Sequence, residues 1–167
     1  MTVEYLKKAD KTSASGEDDV RATVETVLAE IEAGGDDKAR EYSAKFDNWD
    51  GDIIVSPDDF SAATAIVSQS LKDDIRFAHD NVRKFAVAQM ATIQDCEVEV
   101  VPGLIAGQKQ LPVAAAGCYV PGGRYSHIAS AIMTVTTAKV AGVDHIAACS
   151  PPRPGVGINP AILYTLE

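Results

Sequence analysis

Two continuous apolar runs, PVAAAGCYV (residues 112–120) and HIAACS (145–150), flank a single helix-forming stretch, and nothing else in the sequence restricts the fold as much. Runs this short and this apolar suit strands covered on both faces, where every side chain meets protein. The stretch between them, Ser126–Ala141, carries Ile128, Ile132 and Val135 at helical spacing and ends at Gly142, which predicts a helix with one buried side. After the second run, the loop PPRPGVGI leads to Asn159-Pro160, a capping residue followed by proline at the first helical position, so another helix starts there. The order β-α-β-α with short connections predicts a parallel strand pair with a right-handed crossover. Two parallel strands do not complete a doubly wound sheet, and the chain stops at AILYTLE inside its last helix. The sequence is therefore expected to be the N-terminal part of something longer.

The preceding residues have a different texture. Residues 1–16 are polar and read as an arm. From Glu17, the residues Val20, Val24, Leu28 and Ile31 recur at helical spacing until Gly34-Gly35 stops them. Asp36-Asp37 suits the start of a second helix, with Ala39, Tyr42 and Phe46 on one face. DNWDG reads as a turn and Asp52–Val55 as a short strand, and Ser56-Pro57-Asp58-Asp59 has the residues of a helix start. A long helix over Leu71–Met90 follows, with Leu71, Ile75, Ala78, Val82 and Phe85 as its stripe and Ser70/Asp73 as its capping box. CEVEVV alternates as a strand does, Pro102-Gly103 turns the chain, and LIAGQKQL returns as the second arm of a hairpin. The fold class is thus α/β. N-terminal helices precede the first β-α-β-α unit of an incomplete Rossmann-like parallel sheet. The division is an arm at 1–16, a helical and α+β segment of one lobe at 17–110, and the start of a nucleotide-binding lobe at 111–167.

With 46% hydrophobic and 23% charged residues, the chain has a globular composition, and its net charge of −9 argues against nucleic acid or an anionic membrane as partner. No apolar run approaches the ~20 residues of a membrane span, and no signal-peptide core opens the sequence, so a cytoplasmic location is expected. Cys96, Cys118 and Cys149 are widely spaced and read as reduced thiols. The acidic clusters Glu17-Asp18-Asp19, Asp36-Asp37 and Asp58-Asp59 each begin a helix, which the helix dipole explains without a metal ion. His79 reads as a packed helical histidine, and His145 lies at the mouth of a strand; three scattered histidines make no metal site.

Chemistry concentrates in GCYVPGGRYSH, Gly117 to His127. In an open parallel sheet, ligands bind beyond the carboxyl ends of the strands, where VPGGRYS and SPPRPGVG both fall. Glycines let backbone approach a ligand, the following helix N-terminus favours an anion, and the Arg124 fork suits phosphate, carboxylate or sulfonate. The residues alone leave two readings open: an anion-binding corner for a ligand such as a dinucleotide, or a tight strand-to-helix turn with an exposed arginine. His127 either contacts ligand or lies at the surface or behind the contacting residues, the second being the expectation. Cys118, among apolar neighbours, reads as a structural thiol. Tyr119 is a core aromatic on chemistry alone, and Arg153 either adds a second charge to the corner or is solvated, the latter being the expectation.

GCYVPGGRYSHIASAIMTVTTAKVAGV resembles the signature of histidinol dehydrogenases, in which a strand enters YVPGG and the next helix ends in AKVAGV. VETVLAEIEAGGDDKAREYSAKFDNWD is similar to the N-terminal helix pair of that family, and GQKQLPVAAAGCYVPGG to its lead-in, so the resemblance covers nearly the whole chain. It implies an enzyme, an NAD- and zinc-dependent dehydrogenase that takes a primary alcohol through an aldehyde to a carboxylate. That is a four-electron oxidation using two NAD⁺ in sequence. It also implies an intertwined homodimer, and zinc ligands and a catalytic Glu-His pair in segments after Glu167. No catalytic residue and no metal ligand is therefore assigned in this chain. Tyr119 carries over as an NAD contact, and Pro121, Gly122 and Gly123 as the loop shaping that site.

After YVPGG the sequence departs from the histidine-pathway pattern, with Arg124, Tyr125, Ser126 and His127 in place of a small residue and a proline-containing segment. Histidinol is a cation, and an arginine suits an anionic alcohol better. YVPGGRYSHIASAIMT is similar to the subgroup that oxidises the sulfonated diol 2,3-dihydroxypropane-1-sulfonate to sulfolactate, with Arg124 and His127 as candidate substrate or phosphate contacts. Two alternatives stand beside it: histidinol oxidation, and a catalytically inactive piece that serves only as a nucleotide- or anion-binding module or a dimerisation scaffold.

Overall fold

The computed structural model describes residues 17–122 and 125–167. Helix α1 spans Glu17–Asp47 and is broken at Gly35, where φ is 58° and ψ −142°. The expected stop at Gly34-Gly35 thus takes the form of a kink between two helical arms. Side chains tie the arms together: Tyr42 OH donates to Glu30 Oε2 at 2.7 Å, and Lys38 Nζ lies 3.0 Å from the same oxygen and 2.9 Å from Glu41 Oε2. The hydrogen bonds from Tyr42 and then Lys38 hold the Glu30 carboxyl below the ordinary carboxylate range, and the bonds to Glu41 and Glu30 push Lys38 up. Most of the apolar stripe of the first arm finds no cover among the described residues: Val20, Val24 and Leu28 are exposed, and Ile31 is half-buried.

DNWDG turns as expected, with Asn48 at φ 52° and Trp49 Nε1 donating to the Asp52 carbonyl at 3.1 Å. Asp52–Val55, however, is not a strand: it has no pairing partner, and Ile54 is exposed. Helix α2 (Pro57–Ile66) opens on a full capping box, in which the Ser56 hydroxyl accepts from Asp59 N and the Asp59 carboxylate accepts from Ser56 N at 2.9 Å and Ser56 Oγ at 2.7 Å. The Ser56 hydroxyl, and then its backbone N–H, hold Asp59 below its ordinary value of 3.8. A depressed carboxylate contributes stability that is present above the unfolded value and is lost as pH falls through the folded one. Asp59→Asn is accordingly expected to lower the melting temperature at pH 7 and to leave it unchanged near pH 2. An equal loss at both would show that the charge plays no part.

Helix α3 spans Gln69–Met90, and its cap is Ser68, whose hydroxyl accepts from Leu71 N at 3.3 Å. The expected Ser70/Asp73 box is therefore displaced; Asp73 instead accepts from Gln69 Nε2 at 2.8 Å and faces Arg76. In its stripe Ile75 is buried and Leu71, Ala78 and Val82 are partly so, whereas Phe85 is exposed. Strands β1 (Cys96–Val101) and β2 (Leu104–Gln108) form the antiparallel hairpin, with Cys96 opposite Gln108 and a register shift between Glu99 and Val101. Gly103, at φ 83°, makes the turn, and its N–H donates to Glu99 Oε1 at 2.7 Å.

Strands β3 (Ala115–Tyr119) and β4 (His145–Cys149) pair in parallel, Ala115 opposite His145 and Tyr119 opposite Cys149, around helix α4 (Ile128–Val140). The expected α/β unit is therefore present, but two details differ. The strand begins at Ala115 rather than Pro112, and it is covered on one face only: Cys118 is buried while Ala115, Gly117 and Tyr119 are exposed. The helix starts two residues later than Ser126, and Ala131, Ile132 and Thr136 lie deepest on its face while Ile128 and Val135 are only half-buried. Gly142, at φ 81°, ends it. Helix α5 (Pro160–Leu166) starts as read, with Asn159 Oδ1 accepting from Ala161 N at 2.9 Å. The core is small. Val120, Ala131 and Ile162 are essentially inaccessible, with Ile158 and Leu166 packed against them. Helix α3 packs on α4, and α2 on α5.

Candidate functional site: the corner beyond β3 and β4

The parallel register sets the geometry. Because Val120 N donates to the Cys149 carbonyl at 2.8 Å, the two strands leave the sheet at the same level, and their loops start side by side. Gly122 then lies directly against Pro151: a Cβ built on Gly122 would sit 2.7 Å from Pro151 Cγ and 3.0 Å from Pro151 O. The juxtaposition of the two loops expected from the sequence is thus realised, and Gly122 is the residue that permits it.

Alternation along β3 separates core from site. Cys118 and Val120 point into the core, so Tyr119 points away from it, and 61% of its surface is exposed. The core-aromatic alternative for Tyr119 falls on this observation. Pro121 and Gly122 are half-buried. Gly123 and Arg124 lie outside the described residues. His127 is the N-cap of α4, exposed and without a side-chain capping bond, so the first turn of that helix has no side chain closing it. Cys118 is the buried structural thiol expected, and Cys96 and Cys149 are exposed. His79 is half-buried on α3 with Nδ1 3.1 Å from Asp80 Oδ1, and His145 is exposed at the start of β4.

The second loop is more ordered than its composition suggested. Arg153 N donates to Gly157 O at 2.8 Å, and Gly157 N returns to Arg153 O at 3.0 Å, closing a small turn with Gly155 at φ 70° and Gly157 at φ 78°. The Trp49 ring lies beside it: a Cβ on Gly157 would meet the indole at 3.5 Å. Sequence reading missed Trp49 and Pro151. A lone tryptophan in an otherwise polar turn is the only signal the former gave, and the latter gave none. Arg153, expected to be solvated, is half-buried as a residue. At the end of β4 the Ser150 hydroxyl is buried without a hydrogen-bond partner.

Two of these features suit a nucleotide or small anion: an aromatic face exposed at the rim, and a buried hydroxyl with unused bonding capacity. Among the described residues no group of three or more His, Cys, Asp or Glu is placed to hold a metal ion. A separate cavity of about 430 Å³ opens between α3 and α4, lined by Val82, Phe85, Ala86 and Met133 among others, and carries no titratable side chain.

A parallel β-α-β-α segment with adjacent loops at its carboxyl ends belongs among the α/β proteins that take ligands beyond the sheet. The histidinol dehydrogenase family profile matches residues 10–167, and the chain belongs to that family. It is 68% identical over 164 residues to a sulfopropanediol 3-dehydrogenase of Ruegeria pomeroyi, covering 98% of this chain and 38% of that protein. It is 40% identical to a histidinol dehydrogenase of Methanosarcina barkeri over 150 residues, covering 89% of this chain and 34% of that protein. The crystal structure of histidinol dehydrogenase from Elizabethkingia anophelis superposes with a TM-score of 0.79 at 32% identity, over 97% of this chain and 35% of that one. The chain thus spans little more than a third of the length of these relatives, and its fold is the corresponding part of theirs. Among the described residues no helix is long and apolar enough to cross a membrane.

Proposed function

We propose that the full-length protein is an NAD- and zinc-dependent dehydrogenase that oxidises 2,3-dihydroxypropane-1-sulfonate through the aldehyde to sulfolactate. The observation that carries this reading is the 68% identity to a sulfopropanediol 3-dehydrogenase, against 40% to the Methanosarcina histidinol dehydrogenase. Within this chain, residues 111–167 are the start of the NAD-binding lobe and residues 17–110 belong to its neighbour; the arm read at 1–16 lies outside the described residues. Tyr119, Pro121, Gly122 and Gly123 hold the cofactor, which accepts hydride when bound, and Arg124 and His127 contact substrate or phosphate. Exposure of Tyr119 and closure of Gly122 on Pro151 support the roles given to Tyr119 and Gly122. The residues described here bind and orient ligand. No proton-transfer step is assigned to them, and the zinc ligands and acid–base pair belong to other segments of the protein. A cytoplasmic homodimer is the working state we infer from the family.

The test is NADH yield from the full-length protein. Two NADH per sulfonated diol, and none from histidinol, is the expected result. Two from histidinol alone would assign the histidine pathway instead. Yield from neither would leave a nucleotide- or anion-binding role without the chemistry.

A further inference from the structure

Charge is divided unevenly along this acidic chain. From Val100 onward Asp144 and Glu167 are the only carboxylate side chains, whereas Lys109, Arg124, Lys139 and Arg153 all fall there, so the segment that builds the corner is locally basic in a protein of net charge −9. Residues 145–166, which carry β4, its loop and α5, hold no acid at all, and Arg153 is their one lysine or arginine beside His145.

Arg153 is also singular in its setting. The other described arginines, Arg21, Arg40, Arg76 and Arg83, are exposed, and Arg76 pairs with Asp73. Arg153 is half-buried, and among the described residues no carboxylate lies within ion-pair distance of it. An arginine with no acidic partner among the described residues keeps its guanidinium donors available to an anionic ligand. Its backbone is held on both sides, by the paired bonds to Gly157 and by Pro151 lodged against Gly122, two residues upstream. An arginine whose backbone is held in the loop that starts beside Gly122, with no described acid within ion-pair distance, is suited to receive an anion in bidentate geometry.

We propose that Arg153 binds the tetrahedral oxyanion of the ligand in this corner, either the sulfonate of the substrate or the pyrophosphate of the dinucleotide. The ligand class rests on the function proposed above, while the placement of the arginine does not. The first experiment needs no catalytic assignment. Inorganic sulfate is titrated against the full-length protein and its Arg153→Gln variant, with unfolding temperature as the readout. General exclusion of sulfate from the surface raises both, so binding at Arg153 shows as a larger rise in the wild type. Equal rises overturn the proposal. Calorimetric NAD⁺ affinity, and KM for the sulfonated diol against KM for uncharged 1,2-propanediol, then separate the two sources. A roughly tenfold loss confined to the sulfonated diol places the sulfonate on Arg153, and a similar loss confined to NAD⁺ places the pyrophosphate there. Arg153→Lys should recover part of either loss, since it keeps the charge without the fork. If the wild type leaves the sulfonated diol untouched but the NAD⁺ or sulfate difference persists, the substrate assignment fails and the role of Arg153 stands.

Discussion

Gly122→Ala in the full-length protein is expected to weaken NAD⁺ binding by about tenfold or more while changing the unfolding temperature little. The added methyl carbon would lie 2.7 Å from Pro151 Cγ, 3.1 Å from Cδ and 3.0 Å from the Pro151 carbonyl oxygen. None of these atoms belongs to a side chain that can swing aside: one pair sits in a closed ring, and the third is backbone. The clash is relieved only if the two loops part, and forced overpacking of this kind costs about 1–3 kcal/mol, which corresponds to roughly one to two decades in affinity when the closed geometry is the one that binds. Gly117→Ala is the control. It lies in β3, two residues before the exposed Tyr119, and nothing stands within 4 Å of a Cβ added there. Isothermal titration of both variants with NAD⁺ decides the matter. Weakened binding in Gly122→Ala with wild-type binding in Gly117→Ala supports the corner as cofactor site, and unchanged binding in both sinks it.

That contrast also shows what kind of information the sequence held. Where a local rule acts through neighbouring residues, it was readable. Ser56-Pro57-Asp58-Asp59 formed its capping box, Gly142 stopped its helix, and Asn159-Pro160 started one. The β-α-β order was readable for the same reason, because continuous apolar runs and a helical stripe leave few other topologies. Local rules failed where two candidates competed within a turn. Ser68 precedes α3 whereas Ser70 already lies in its first turn, so Ser68 is the cap and Gln69 satisfies Asp73 from inside that turn. They failed again at Asp52–Val55, where apolar residues suited a strand but no partner strand lies alongside. Apolar stripes gave direction but not depth: Val20, Val24 and Leu28 keep helical spacing and remain exposed, as does one face of β3. Burial depends on what is packed opposite, and opposite surfaces are far apart in sequence. The site divides in the same way. Tyr119, Pro121 and Gly122 carry a motif and were legible through the family resemblance, whereas Pro151, Trp49 and the half-burial of Arg153 come only from the meeting of separate segments.

Ile162→Ala is expected to have the largest effect on stability of any single change in this part of the protein. The side chain is 1% exposed and packs at the centre of the core with Val120, at 0%, and Ala131, at 1%. Truncating a buried isoleucine costs about 2–5 kcal/mol, from lost transfer energy and from the cavity that remains. The upper part of that range applies here, because Ala131 is too small to move in, and Val120 is tied to Cys149 by its backbone bond. By comparison Val98→Ala on β1, where the side chain is 57% exposed, should change stability by no more than about 0.5 kcal/mol. A protein of several lobes need not unfold in one step, so the measurement is amide exchange in the full-length protein, read at β3, α4 and α5. Those amides should lose protection in Ile162→Ala while the β1–β2 hairpin keeps its own. The consequence reaches the corner as well, since Val120 is the residue from which Pro121 and Gly122 depart. A cavity under Val120 loosens the strand end that holds Gly122 against Pro151, so Ile162→Ala should also weaken NAD⁺ binding without touching ligand. If protection falls but affinity holds, the loop contact is maintained by Trp49 and the Arg153–Gly157 turn alone, and the core beneath contributes only to folding.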